Sequence, residues 1–406
     1  MRILMILILC MGCLVPATAN ADEMALLALQ VRELTQTVRD LKLTVENQSR
    51  EIAILKNQTP PPFTTSGLVS SPAAPASRSL QGRWNPDIGV VADSVLKLDS
   101  PKADAEGADR LSVRELELVF GSAVDPYSRF DATISFSDFE AASLEEAYLT
   151  CFELPWDLKA RIGRFKPRVG KAIPVHRDSL ETVDEPLVIQ RYFGLEGYNK
   201  TGLDVSKILD LPSPVTHEFT AGILEGGNSE GGTAFGSTKR RPTIYAHLKN
   251  YADINEATGL EAGGSYLVGS RDADSNFEVQ ILGLDGTWIH HLNSVQNVKL
   301  QGEVFHMNRE ETEDSSLWGA YGLVDFRINS QWAVGFRFDD VELVDNPVSN
   351  PNKADIGYTG HLTFYQSEFA RWRAQFSHID LANGNDDNQV LLQGTFAIGE
   401  HKHKLT

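Results

Sequence analysis

Few side chains in this sequence are spaced to do chemistry on their own. His290 and His291 are adjacent, so on an extended strand they point to opposite faces. His401 and His403 would share a face if extended, but an isolated pair in a charged tail reads as a solvated chain end, and no metal site is expected. The sequence has no G-x-S-x-G elbow, no phosphate-cradling glycine loop and no cysteine cluster, so neither an enzyme nor a cofactor is expected. Gly226-Gly227 and Gly263-Gly264 suit loops and strand kinks instead. What the chain carries in quantity is interleaved charge. Arg129, Lys159, Arg161, Lys171, Arg177, Arg191, Arg337, Arg371 and Arg373 stand among Glu115, Glu117, Asp131, Glu146, Asp184, Glu185, Glu303 and Asp339. Such a set shapes the field felt by small ions, provided that some architecture lines a common space with it.

The 406 residues hold 37 Lys plus Arg against 55 Asp plus Glu, a formal charge of −18, which argues against a nucleic-acid partner. Hydrophobic residues make up 42% and charged residues 23%, so the chain is neither disordered throughout nor a bundle of membrane helices. An average of this kind is also what a transmembrane β-barrel gives, because only one face of each strand meets lipid.

Arg2 precedes an apolar run from Ile3 to Val15, followed by Pro16 and the small residues Ala17, Ala19 and Ala21. That pattern predicts a secretory signal peptide over 1–21, cut after Ala21. Cys10 and Cys13 lie inside it in a poor context for lipidation, which leaves Cys151 as the one cysteine of the mature chain and no internal disulfide.

A heptad seam follows, with Val31, Val38, Val45 and Ile52 at a positions and Leu27, Leu34, Leu41 and Leu55 at d positions. Gln48 is its one polar intrusion. The seam predicts a coiled-coil helix over 22–57 that joins copies of the chain; β-branched a with Leu at d favours a dimer. Thr59-Pro60-Pro61-Pro62 ends the helix, and the Pro, Ser and Ala rich stretch 58–82 reads as a tether.

From residue 83 to 406 the helical period gives way to a period of two. Phe130, Ala132, Ile134 and Phe136 alternate with Arg129, Asp131, Thr133 and Ser135; Trp332, Val334, Phe336 and Phe338 alternate with Ala333, Gly335, Arg337 and Asp339. Sixteen strands are predicted, at 84–97, 111–121, 126–138, 143–153, 157–166, 197–208, 215–226, 241–251, 256–270, 276–291, 296–308, 316–328, 331–343, 352–365, 368–380 and 387–399. Their connections sort by parity. Even-to-odd links such as Asn329-Ser330 and Gln366-Ser367 are short, whereas 98–110, 167–196, 227–240 and 344–351 are longer. A soluble sandwich has no reason to sort its loops in this way; an all-β transmembrane antiparallel barrel with short turns at one rim and long loops at the other does. Trp84, Tyr127, Trp156, Tyr192, Trp288, Trp318 and Trp332 fall at strand ends and fit interfacial girdles. The thirty-residue link 167–196 is long enough to be functional. It either folds into the lumen and narrows it or caps the mouth.

The runs Asp125-Pro126-Tyr127-Ser128-Arg129, Leu144-Glu145-Glu146-Ala147-Tyr148, Gly163-Arg164-Phe165-Lys166, Asp184-Glu185-Pro186-Leu187 and Gly194-Leu195-Glu196-Gly197 resemble the phosphate-selective porin O and P superfamily of Gram-negative outer membranes, in particular its members with an N-terminal coiled coil. The likeness covers most of 83–406 and is strongest over 115–225. It implies a sixteen-stranded barrel, a trimer rather than the dimer of the heptad pattern, and an outer-membrane location with the coiled coil in the periplasm. The function implied is a passive diffusion channel for small hydrophilic solutes or ions, including anions such as phosphate, with 167–196 as the constriction. The alternative is a structural protein whose coiled coil spaces or tethers the envelope. Two departures stand against carrying the family's substrate over. Residues 83–406 hold 30 basic against 49 acidic residues, and the chain runs past Phe396 into His401-Lys402-His403-Lys404-Leu405-Thr406.

Overall fold

A computed structural model describes residues 86–99, 110–138, 142–272, 277–310, 315–344 and 354–399. The signal peptide, the coiled coil with Leu27, Val31, Leu34, Val38, Leu41, Val45, Ile52 and Leu55, the tether and the tail histidines lie outside the described residues. The chain divides into two units, 1–76 and 77–406, and only the second falls within the description.

That unit is a barrel of sixteen strands: β1 (Asp87–Asp99), β2 (Arg110–Asp125), β3 (Ser128–Phe136), β4 (Ser143–Leu154), β5 (Leu158–Phe165), β6 (Lys200–Leu209), β7 (Thr216–Leu224), β8 (Thr243–Asn255), β9 (Thr258–Ser270), β10 (Glu278–His291), β11 (Asn297–Arg309), β12 (Ser315–Arg327), β13 (Trp332–Glu342), β14 (Ala354–Ser367), β15 (Ala370–Asp380) and β16 (Asp386–Gly399). Each pairs antiparallel with the next, and β1 pairs with β16 from Gly89↔Gly399 to Asp99↔Gln389, which closes the sheet and removes its edges. Every predicted strand is present. Several turns sit a few residues from their predicted places; the β2–β3 turn falls at Pro126-Tyr127, where the Tyr127 N–H donates to Asp125 Oδ1 at 2.8 Å.

Burial follows the alternation with the sense of a soluble protein reversed. Along β13 the apolar Phe336 is 45% exposed on the outer surface while Arg337 beside it is 1% exposed on the inner one. Outward aliphatic and aromatic side chains recur around the wall, among them Leu282, Leu284, Leu362, Trp372 and Phe376. In water an apolar belt of this extent would be strongly unfavourable, whereas against hydrocarbon it is what stabilises the barrel. Tyr127, Trp156, Trp318 and Trp332 are exposed at strand ends, as a girdle requires, and Trp84 lies outside the described residues. Tyr192 is a correction: it is fully buried inside the barrel, because the segment that carries it turns inward rather than running along a rim.

The inner face also departs from a uniformly polar one. Toward the loop rim, Tyr245, Leu267, Val279, Ile281, Phe305, Met307 and Leu317 point inward and are buried. They form one side of an apolar cluster within the barrel.

Candidate functional site: a loop held inside the barrel

The segment between β5 and β6, residues 166–199, folds into the lumen. One side of it is apolar: Val169, Ile173, Leu187, Val188, Ile189, Tyr192 and Phe193 pack on the inward apolar residues of β8 to β12. A single wide helical turn, Ile189–Phe193, presents this face, and Phe193 meets Phe305 edge-on at 5.3 Å between ring centres.

The remainder of the segment is irregular, so its backbone polar groups need partners from elsewhere. The wall supplies them as side chains. The N–H groups of Gly170, Ala172, Val183 and Leu187 donate to Ser265 Oγ (3.2 Å), Glu303 Oε1 (2.7 Å), Gln375 Oε1 (2.7 Å) and Asp339 Oδ1 (2.9 Å). In the other direction Arg373 donates to the carbonyls of Thr182 (2.7 Å) and Leu180 (2.8 Å), Arg114 to that of Val183 (2.6 Å), and Arg371 to that of Asp178. Gly170 shows how close the approach is. Its φ is +62°, and a Cβ there would stand 1.9 Å from Glu303 Oε2.

Arg337 is the centre of this set. Its guanidinium donates to Asp339 Oδ2 (2.7 Å), Thr182 Oγ1 (2.6 Å) and the Asp184 carbonyl (2.9 Å), and pairs with the Asp184 carboxylate at 3.3 Å. Ion pairs add further attachments: Arg191 to Asp355 at 3.0 Å, Lys171 to Glu261 at 2.5 Å, and Glu181 to Lys299. Burial alone would raise the Glu181 carboxyl, but Lys299 beside it holds it below its ordinary value. Glu185 has no such neighbour in contact; both carboxylate oxygens are buried without a hydrogen-bond donor, and burial raises its pKa.

The sequence candidates thus fall into groups. Arg337, Arg371, Arg373, Lys171, Arg191, Asp184 and Glu185 meet in or against the inward loop. Arg177 joins it too, donating to the Leu195 carbonyl at 3.2 Å. Arg161 pairs with Asp204 of the neighbouring strand. Glu115 and Glu117 are buried on the inner face of β2, and Asp131 on that of β3 beside Arg129. Arg129 and Lys159 lie next to the turn rim, at the far end from the loop.

Other residues of the site escaped the alternation argument. At two places one extra residue enters a strand, and the resulting bulge turns two consecutive side chains inward. The β1–β2 register shifts between Asp93 and Ser94, so that Arg114 and Glu115 both face the lumen, with Arg114 bound to Asp93. The β3–β4 register shifts between Thr133 and Ile134, which brings in Glu145 as well as Glu146. A further loop, 225–242, also folds in. The Ala234 N–H donates to the Tyr192 carbonyl at 2.9 Å, and Phe235 is buried beside Tyr198. An aromatic stranded among glycines at 226–236 was the available signal.

Two polar cavities flank the loop. One, of about 530 Å³, is lined by Arg168, Lys171, Glu181, Glu218, Lys249, Glu261 and Lys299 among others; the second, of about 240 Å³ toward the loop rim, includes Arg164, Lys166, Glu196, Lys200, Glu225 and Glu230. Both mix the two signs of charge. The arrangement can therefore pass or hold small polar species, but it does not present a one-sign array.

No family model matches the chain. A protein of Aquifex aeolicus (strain VF5), described as uncharacterized, is 27% identical over 323 residues, which cover 70% of this chain and 68% of that one. Many solved structures are similar, three of them as follows. Salmonella typhi OmpF in complex with daunomycin has a TM-score of 0.53 at 8% identity, covering 77% of this chain and 97% of its own. An anion-selective porin from Comamonas acidovorans has 0.52 at 9%, covering 77% and 99%. The outer membrane channel DcaP of Acinetobacter baumannii has 0.51 at 11%, covering 77% and 96%. At these identities the likeness concerns the fold: residues 87–399 adopt the closed sixteen-stranded barrel of outer-membrane porins.

Proposed function

We propose that this chain is a porin of a Gram-negative outer membrane, a passive diffusion channel for small hydrophilic solutes and ions whose lumen is narrowed by the segment 166–199. The observation that carries the reading is the inward loop itself, fastened along its length to wall side chains inside a closed barrel with an apolar exterior. A barrel built only as an anchor has no need of a rigid polar partition in its interior.

The selectivity we propose is weak. Arginines that would form an anion ladder are engaged by loop carbonyls and carboxylates, as Arg337, Arg371 and Arg373 are. The 530 Å³ cavity sets Arg168, Lys171, Lys249 and Lys299 against Glu181, Glu218 and Glu261. The Comamonas protein is described as anion-selective; here phosphate is one permeant solute among others rather than a specific ligand. In the same proposal, 1–21 is the export signal, 22–57 is a periplasmic coiled coil, 58–82 is its tether, and copies of the chain assemble as trimers.

Proteoliposome swelling tests the permeation claim. Liposomes carrying the folded full chain are expected to swell in isotonic arabinose faster than in a trisaccharide, and phosphate is expected to enter no faster than chloride. Swelling at the rate of empty liposomes would overturn the channel reading, and saturable uptake confined to phosphate would overturn the weak selectivity.

A further inference from the structure

Beyond permeation, we propose that Glu117, Glu145 and His176 form a divalent-metal site of N and O donors that clasps the inward loop to the barrel wall. Glu117 comes from β2, Glu145 from β4 and His176 from the loop, so the three are brought together only by the loop's inward fold. His176 Nδ1 stands 3.8 Å from Glu117 Oε1 and 3.7 Å from Glu145 Oε2, and one ligand atom from each residue lies within 4.8 Å of the others. Around an ion with bonds of about 2.0–2.1 Å such atoms would be roughly 3.3 Å apart, so the histidine contacts must contract by a few tenths of an ångström and the two carboxylate oxygens, which lie within 4.8 Å, must close to the same spacing. The other ring nitrogen is already oriented. Nε2 donates to Glu146 Oε2 at 3.1 Å, the carboxylate–histidine pairing that turns the opposite nitrogen toward a metal.

Burial and backbone geometry make the case independently of distance. All three residues are at least nine-tenths buried, at 3%, 7% and 4% exposure. Glu145 Oε1 has no hydrogen-bond donor there, a state that is costly for an ionised oxygen unless a cation completes it. The β4 bulge is what puts Glu145 into this space, where Glu115, Glu117, Glu146 and Asp178 are already crowded. An extra carboxylate there raises mutual repulsion, and a divalent ion reverses that cost. The nearby bases make their hydrogen bonds to other groups, Lys166 Nζ to the Val175 carbonyl and Arg177 to the Leu195 carbonyl, with Glu196 beside it, while both stay close enough to act on the cluster's carboxylates. One imidazole nitrogen with carboxylate oxygens suits a zinc-like ion rather than calcium, which prefers oxygen alone.

The test uses the full-length protein refolded in detergent, stripped with a chelator, and checked for a heat-modifiable folded barrel. Zn²⁺ is titrated by calorimetry, and Co²⁺ is added separately to read ligand-field absorption. The expected result is about one ion per chain, visible Co²⁺ bands, and a higher unfolding temperature with Zn²⁺. In folded His176→Ala and Glu145→Gln proteins, affinity should fall at least tenfold and the thermal shift should disappear, while a His401→Ala/His403→Ala protein should behave as the starting chain does. A folded wild type that binds no Zn²⁺ would overturn the proposal and leave a proton on His176 in the ion's place. Undiminished binding by His176→Ala, or loss of binding in the tail variant, would overturn it equally. None of these readings depends on whether the barrel conducts.

Discussion

Arg337→Met is expected to loosen the inward loop, raise single-channel conductance several-fold and cost about 3–5 kcal/mol of barrel stability. The guanidinium is 1% exposed and holds both a loop hydroxyl, Thr182 Oγ1, and a loop carbonyl, that of Asp184. Removing it also strands Asp339, which is fully buried and would keep only the Leu187 N–H as a donor. An uncompensated buried carboxylate is the larger part of the penalty. Adding Asp339→Asn to Arg337→Met should therefore recover much of the stability, because the amide oxygen still accepts from Leu187 without a charge. It should not recover the narrow channel, since the tie to Thr182 and Asp184 is gone. Urea unfolding in detergent and bilayer recordings of the same preparations separate the two effects. A conductance equal to that of the unaltered chain in a folded Arg337→Met barrel would show that the loop is held by something else.

One residue away the expectation changes character. Phe336→Arg places a charge on the outer face at the middle of β13, opposite Val324 of β12 and Gly360 of β14. If that face meets hydrocarbon, the substitution should cost ~2–4 kcal/mol in lipid vesicles, and Phe336→Leu should stay within about 1.5 kcal/mol. Reversible unfolding from vesicles reads both. Equal stability of Phe336→Arg and the unaltered barrel would mean that the apolar belt is covered by something other than lipid. The contrast between positions 336 and 337 is a direct consequence of period two.

That period is why so much of the fold was legible. In β13 and β15 every outward residue from Trp332 to Phe338 and from Trp372 to Phe376 is apolar or small, and the inward ones are Arg, Asp, Gln or Ser with a few small residues. A single strand of this kind is ambiguous, but sixteen with parity-sorted connections allow one closure. Where the period fails, legibility fails with it. Ile281 and Leu282 are adjacent apolar residues, one packed in the intraluminal cluster and one exposed on the outer wall, because β10 near the loop rim presents apolar side chains on both faces. Arg114 and Glu145 belong to the site through bulges, which insert a residue without any compositional mark.

The loop is a different case. Its length and charges were visible in the sequence, but its destination depends on partners up to 193 positions away, as in the Arg371 and Arg373 bonds to Asp178 and Leu180. The alternating pattern puts those arginines on the inner face of β15, where they are buried. It could not say that they would bind loop carbonyls rather than face open water. His176 was passed over for a similar reason: alone in a loop it has no partner in sequence, and its neighbours Glu117, Glu145 and Glu146 come from strands formed elsewhere.

The most direct test of the account is single-channel recording of the purified, heat-modifiable full chain in planar bilayers under a salt gradient. The expected record has stepwise openings that close in threes, a reversal potential near zero, and no block of the chloride current by low phosphate. Folded barrels that insert into the bilayer and give no steps would contradict it.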